Sequence, residues 1–155
     1  YKKATLALCE VLSFLKVKFA VYAFSTENRE VVCWSIKSEN TKWNSITAKR
    51  LTQIVANGST PLAEVYNKMF QTLKSKRPDI FLTLTDGEPS DPNAVRNMVK
   101  LLKGLGISMV SLGLGSNTIR AITITNNLKH LGYEKTMAVS RLNDIPNKVI
   151  RILNV

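Results

Sequence analysis

Apolar residues in this chain recur with two different periods, and the switching between them lays out the fold. Leu8, Val11, Leu12 and Leu15 stand at i, i+3, i+4 and i+7, which predicts a helix over residues 2–15 with one apolar face. Residues 19–24 and 31–36 are short apolar runs of strand length. The link between them, residues 25–30, is too short for a helical crossover, so the pair is expected to form an antiparallel hairpin. A weaker helix is predicted over residues 45–55.

The strongest helical pattern covers residues 61–75, where Leu62, Val65, Tyr66, Met69, Phe70 and Leu73 keep the period through three turns. Thr60 is the expected N-cap and Pro61 the expected first residue, both chemistries that suit a helix start. Residues 80–84 form a continuous apolar run, which predicts a strand buried on both faces. Asp91 and Pro92 open the next helix, Val95, Met98, Val99 and Leu102 form its stripe, and Gly104 is expected to close it. Residues 107–114 repeat the buried-strand pattern. Residues 118–131 carry conflicting signals, since a β-branched run argues against helix while Leu128 to Gly132 resembles a helix end. Residues 136–139 read as a short strand, and Asn143 or Asp144 caps a last helix through Leu153. Such alternation predicts an α/β fold, a doubly wound and mostly parallel sheet with helices on both faces and one antiparallel edge strand.

At 155 residues the chain fits one domain with a sizeable core. No apolar run approaches the roughly 20 residues that a membrane-spanning helix needs, and Tyr1-Lys2-Lys3 does not open a signal peptide. Cys9 and Cys33 lack metal-site spacing and read as buried free thiols, which points to a reducing, cytoplasmic compartment. The 22 Lys and Arg against 11 Asp and Glu give a net charge of +11. That excess favours an acidic partner, whether protein, nucleic acid or membrane surface. The cations are nevertheless scattered, and no aromatic residues interleave them as a nucleic-acid track requires.

Candidate chemistry gathers in two loops. The run Ile80-Phe81-Leu82-Thr83-Leu84-Thr85-Asp86-Gly87-Glu88-Pro89 puts a carboxylate at the carboxyl end of a strand, the edge where open α/β sheets bind ligands. Asn57-Gly58-Ser59-Thr60-Pro61 puts hydroxyls ahead of the strongest helix. A carboxylate with hydroxyls suits magnesium, which takes oxygen ligands and keeps several waters. The competing reading is structural: Asp-Gly is a common turn and Thr-Pro an ordinary cap. His130 is the lone histidine, more in keeping with a surface or capping role, and no nucleophile–base pair is visible, so an enzyme is not expected. Gly113-Leu114-Gly115-Ser116 lacks the third glycine of a dinucleotide fingerprint. Trp34 and Trp43 are expected to pack.

These two motifs, with the element order, resemble the von Willebrand factor A domain over essentially the whole chain. The resemblance implies a metal ion-dependent adhesion site built from a D-x-S-x-S loop, a threonine and an aspartate. Thr60 and Asp86 match the last two, with Ser25 and Ser59 as supporting candidates. No D-x-S-x-S occurs, so residues 1–155 are expected to be one such domain lacking its first central strand, with an incomplete magnesium site. The implied function is a protein-interaction module whose cation is completed by a partner's acidic side chain. Some relatives of this kind work beside AAA+ ATPases or in chelatase-like complexes. The alternative is a basic domain that binds nucleic acid or a ribonucleoprotein.

Overall fold

The computed structural model describes residues 2–53 and 61–153. Its elements run α1 (Lys2–Phe14), β1 (Val21–Glu27), β2 (Glu30–Lys37), α2 (Ser45–Thr52), α3 (Leu62–Lys76), β3 (Ile80–Thr85), α4 (Pro92–Gly104), β4 (Ser108–Leu114), α5 (Thr118–Leu128), β5 (Lys135–Val139) and α6 (Ile145–Leu153). Short 3-10 turns at Lys129–Leu131 and Leu142–Asp144 follow α5 and precede α6. The alternation is the one the hydrophobic periods predict, but the strands fall into two sheets. β1 and β2 pair antiparallel, while β3, β4 and β5 form a parallel sheet in that order. Among the described residues, β1 and β3 are each bonded along one edge only. Two compact units result, one from Tyr1–Gly58 with Leu142–Val155, the other Ser59–Arg141.

In the first unit the hairpin is tighter than the apolar runs suggest. Asn28 and Arg29 both take positive φ, 49° and 67°, the signature of a two-residue type I′ turn whose twist matches that of the strands. The ladder therefore continues to Glu27 and Glu30, and Ser25 lies inside it opposite Val32 instead of at a strand end. α1 packs against α2 and α6. Its buried residues are Ala4, Leu8 and Cys9, while Leu15 falls beyond the helix end and is exposed. Of the predicted stripe, Leu8 is buried and Val11 and Leu12 are half-buried.

In the second unit β4 is central, and its residues from Met109 to Leu114 are all buried. Helical crossovers through α4 and α5 join β3 to β4 and β4 to β5; α5 packs on β4 and β5, and α3 packs along α4. Leu62, Val65, Tyr66, Met69 and Leu73 form the buried face of α3. Pro61 occupies the cap position of that helix, not the first helical position, and Arg77 ends it in the left-handed region at φ 44°. Val95, Val99 and Leu102 of α4 are fully buried, each contributing about 1.5–3 kcal/mol. The Asp91 carboxylate caps α4 by accepting from the Ala94 N–H, and the turn after it comes at Gly106, φ 86°, two residues later than expected.

The ambiguous segment is helix α5, capped by the Asn117 side chain at 2.8 Å from the Arg120 nitrogen. Burial of Ala121, Ile124, Thr125 and Leu128 along one face outweighs the weak helix propensity of its β-branched residues. The Thr123 and Thr125 hydroxyls donate back to the carbonyls of Ile119 and Ala121, at 2.9 and 2.7 Å. Those bonds satisfy groups that would otherwise compete with the helix.

Candidate functional site

The carboxyl edge of the parallel sheet presents two loops of opposite character. At the end of β3, Thr85 is buried and its hydroxyl holds the next turn. It accepts from the Gly87 N–H at 3.3 Å and faces the Gly87 carbonyl at 3.2 Å as a donor. This clamp closes the turn and leaves Asp86 exposed at its tip. Three carboxylates lie within this stretch, and two are engaged. Glu88 Oε1 accepts from Asn127 Nδ2 at 2.7 Å, and Asp91 Oδ1 caps α4 at 3.1 Å. Asp86 alone has no hydrogen-bond or ion-pair partner among the described residues.

At the end of β4 the chain is closed against α5. A Cβ on Gly115 would lie 2.3 Å from the Ala121 nitrogen and 2.7 Å from its Cα. On Gly113 it would lie 2.5 Å from Thr125 Oγ1 and 3.0 Å from that residue's nitrogen. Both glycines therefore serve close backbone packing, and the Gly115 N–H donates to the Val139 carbonyl at 3.0 Å. Gly-Leu-Gly here is a helix seat, which leaves no cradle for a phosphate.

Beneath the edge, three hydroxyls join α3, β3 and the segment leading into β5. Tyr66 Oη lies 2.6 Å from Thr83 Oγ1 and 2.5 Å from Tyr133 Oη. Burial raises the Tyr66 phenol well above its ordinary value and pushes Tyr133 up to about 12, so both stay protonated through the neutral range. The Phe81 ring meets Tyr66 edge-on at 5.7 Å. Sequence reasoning placed Tyr66 in an apolar stripe without asking why a hydroxyl stood there. A tyrosine at a core position is itself a signal, because its hydroxyl needs a partner.

Of the residues singled out from the sequence, Asp86 is at the sheet edge as expected, while Ser59 and Thr60 lie outside the described residues. Ser25 belongs to the hairpin, is buried, and accepts a long bond from Trp34 Nε1 at 3.4 Å. Among the described residues no three His, Cys, Asp or Glu side chains converge as metal ligands. The donor type nevertheless fits a hard cation, since the uncommitted group at the edge is an exposed carboxylate.

Several other polar groups are accounted for locally, while the buried Thr26 hydroxyl has no hydrogen-bond partner among the described residues. Cys9 is 2% exposed and burial pushes its thiol up to about 12. Lys37 is buried, donates to the Phe19 and Ser38 carbonyls at 2.5 and 3.0 Å, and sits 4.2 Å from the centre of the Phe19 ring. Its ammonium is held below the ordinary lysine value by that burial. Trp43 packs beside Phe19 and donates to Glu10 at 3.0 Å. Arg96 donates to the His130 carbonyl, Lys103 to that of Gly132 and Arg77 to that of Lys74. Lys37, Arg77, Arg96 and Lys103 thus satisfy main-chain carbonyls, so part of the positive excess has a structural use. His130 is exposed, and the contact it makes here is through its backbone. No helix among the described residues is long and apolar enough to cross a membrane.

Among curated proteins, none matches the chain. The von Willebrand factor type A domain family matches residues 2–148, nearly its whole length. With the α/β architecture and the exposed aspartate after β3, that match carries the assignment: the chain belongs to the von Willebrand factor type A domain family, a family of general protein-interaction modules.

Proposed function

We propose that this domain binds a partner protein through a divalent cation, most simply magnesium, held at the carboxyl edge of the parallel sheet, and that it is not an enzyme. The observation that carries the reading is Asp86. In a chain of net charge +11, a carboxylate left exposed and, among the described residues, unpartnered beside two engaged ones supports a role toward an external cation. Asp86 would supply the charged oxygen, Thr60 a hydroxyl, and Ser59 support. The cation would supply open coordination positions for an acidic side chain of the partner.

Reach supports pairing Thr60 with Asp86. The Tyr66–Thr83 hydrogen bond fixes α3 along β3. Leu62 is one helical turn above Tyr66, about 6 Å. Asp86 is three strand residues above Thr83, about 10 Å. Thr60 precedes Leu62 by two residues, so at most about 7 Å of chain separates them. A threonine within that span can stand level with Asp86. The edge of β3 that is unbonded among the described residues leaves room for a further strand, whose following loop would bring D-x-S-x-S oxygens to the same level. A partnership with an AAA+ ATPase or chelatase-like complex is proposed on family analogy alone.

Calorimetric titration of magnesium tests the reading. The 155-residue chain should bind weakly, because one carboxylate and one hydroxyl compete poorly with water for a strongly hydrated ion. A version extended by a strand and D-x-S-x-S loop should bind well, and Asp86→Ala should abolish that gain. Tight binding by the short chain, or no loss on Asp86→Ala in the extended one, contradicts it.

A further inference from the structure

We infer that Tyr66 is a positioning residue for the Asp86 cation site, acting through its hydroxyl bridge to Thr83; this rests on the proposed cation reading. The hydroxyl trio spans α3, β3 and the segment leading into β5, and Tyr66 is its middle member. Thr83 stands two residues before Thr85, the side chain that clamps the Asp86 turn. Both threonines are buried and point to the same side of β3, since side chains alternate along a strand. A shift of β3 along α3 by even a fraction of a residue would therefore carry Thr83, Thr85 and the Asp86 turn together.

Apolar packing alone tolerates such sliding, because it is nondirectional. A buried hydrogen bond at 2.6 Å does not, because its energy falls steeply with geometry. Tyr66 thus sets the height of the strand that carries Asp86 against α3. Tyr133 bonds the phenol from the other side and also reaches the Thr83 hydroxyl. Its removal leaves the Tyr66–Thr83 bond itself in place, so it serves as the milder comparison.

The test uses the 155-residue chain and manganese as the paramagnetic probe, reading broadening of the Gly87 amide signal, which detects weak as well as tight binding. Wild-type protein should show saturable broadening that Asp86→Asn removes. Tyr66→Phe and Thr83→Val should each raise the manganese concentration at half-effect about tenfold, the scale on which supporting residues tune metal sites. Tyr133→Phe, which keeps the Tyr66–Thr83 bond, should shift it far less while still lowering the unfolding midpoint. If Tyr66→Phe fails to fold, Thr83→Val carries the comparison. Equal half-effect concentrations in wild type, Tyr66→Phe and Thr83→Val, with Asp86→Asn still inactive, overturn the positioning role and leave the site standing. Broadening that is absent in wild type, or unchanged in Asp86→Asn, overturns the site and the positioning role with it.

Discussion

The ends of β3 and β4 are neighbours on one sheet edge, and both carry glycine beside small polar residues, yet they do opposite things. At the end of β4, Gly113 and Gly115 let α5 settle onto the strand, and the missing side chains' space is filled by Thr125 and Ala121. After β3, Gly87 permits a tight turn closed by the Thr85 hydroxyl, and the residue at its tip is an exposed aspartate. One loop is closed by packing and the other is held open by a hydrogen-bonded turn. A carboxyl-edge loop earns a functional reading by what its polar side chain is left free to do, and glycine content does not separate the two cases.

The comparison breaks first at Gly115. Gly115→Ala drives a Cβ into backbone atoms that cannot yield, so a loss of about 3 kcal/mol is expected, at the upper end of overpacking costs, measured by urea unfolding. Tyr66→Phe should cost about 2 kcal/mol, because Thr83 and Tyr133 are left with buried hydroxyls lacking their shared partner. Gly113→Ala should cost about 1 kcal/mol, since the closest atom is the Thr125 hydroxyl, part of a side chain that can move. Asp86→Asn should change stability by less than about 0.5 kcal/mol, as expected for an exposed group without a partner among the described residues. An Asp86→Asn change that destabilises as much as Gly113→Ala would make the aspartate a structural turn residue.

Alkaline pH separates the brace from the rest. Tyr133 has its folded value raised from 10.0 to about 12 by burial, so the folded state holds its proton more tightly than the unfolded chain. The associated stability is fully present below pH 10 and is lost as pH rises through about 12. Unfolding free energy measured across that window should fall less steeply in Tyr133→Phe than in wild type.

Most of the fold was legible because long apolar periods survive local noise: the α3 stripe and the two continuous runs at β3 and β4 stand where their periods put them. The misjudged places have specific causes. The hairpin link looked like a six-residue loop because Asn28-Arg29 carries no glycine, although asparagine tolerates the left-handed region that the turn uses. The β-branched α5 looked doubtful because propensity is local, whereas its helix is secured by burial of a face and by threonine bonds inside it. Asp86 was legible from one strand pattern and one dipeptide. The hydroxyl brace under it was not, because Tyr66, Thr83 and Tyr133 meet only across 17 and 67 residues of sequence.

Amide spectra recorded with and without magnesium test the contrast between the two loops most directly. The account predicts signal changes at Thr85, Asp86, Gly87 and Glu88, none at Gly113 to Asn117, and loss of all of them in Asp86→Asn. Changes centred on the Gly113 to Asn117 loop, or changes around Gly87 that persist in Asp86→Asn, would contradict it.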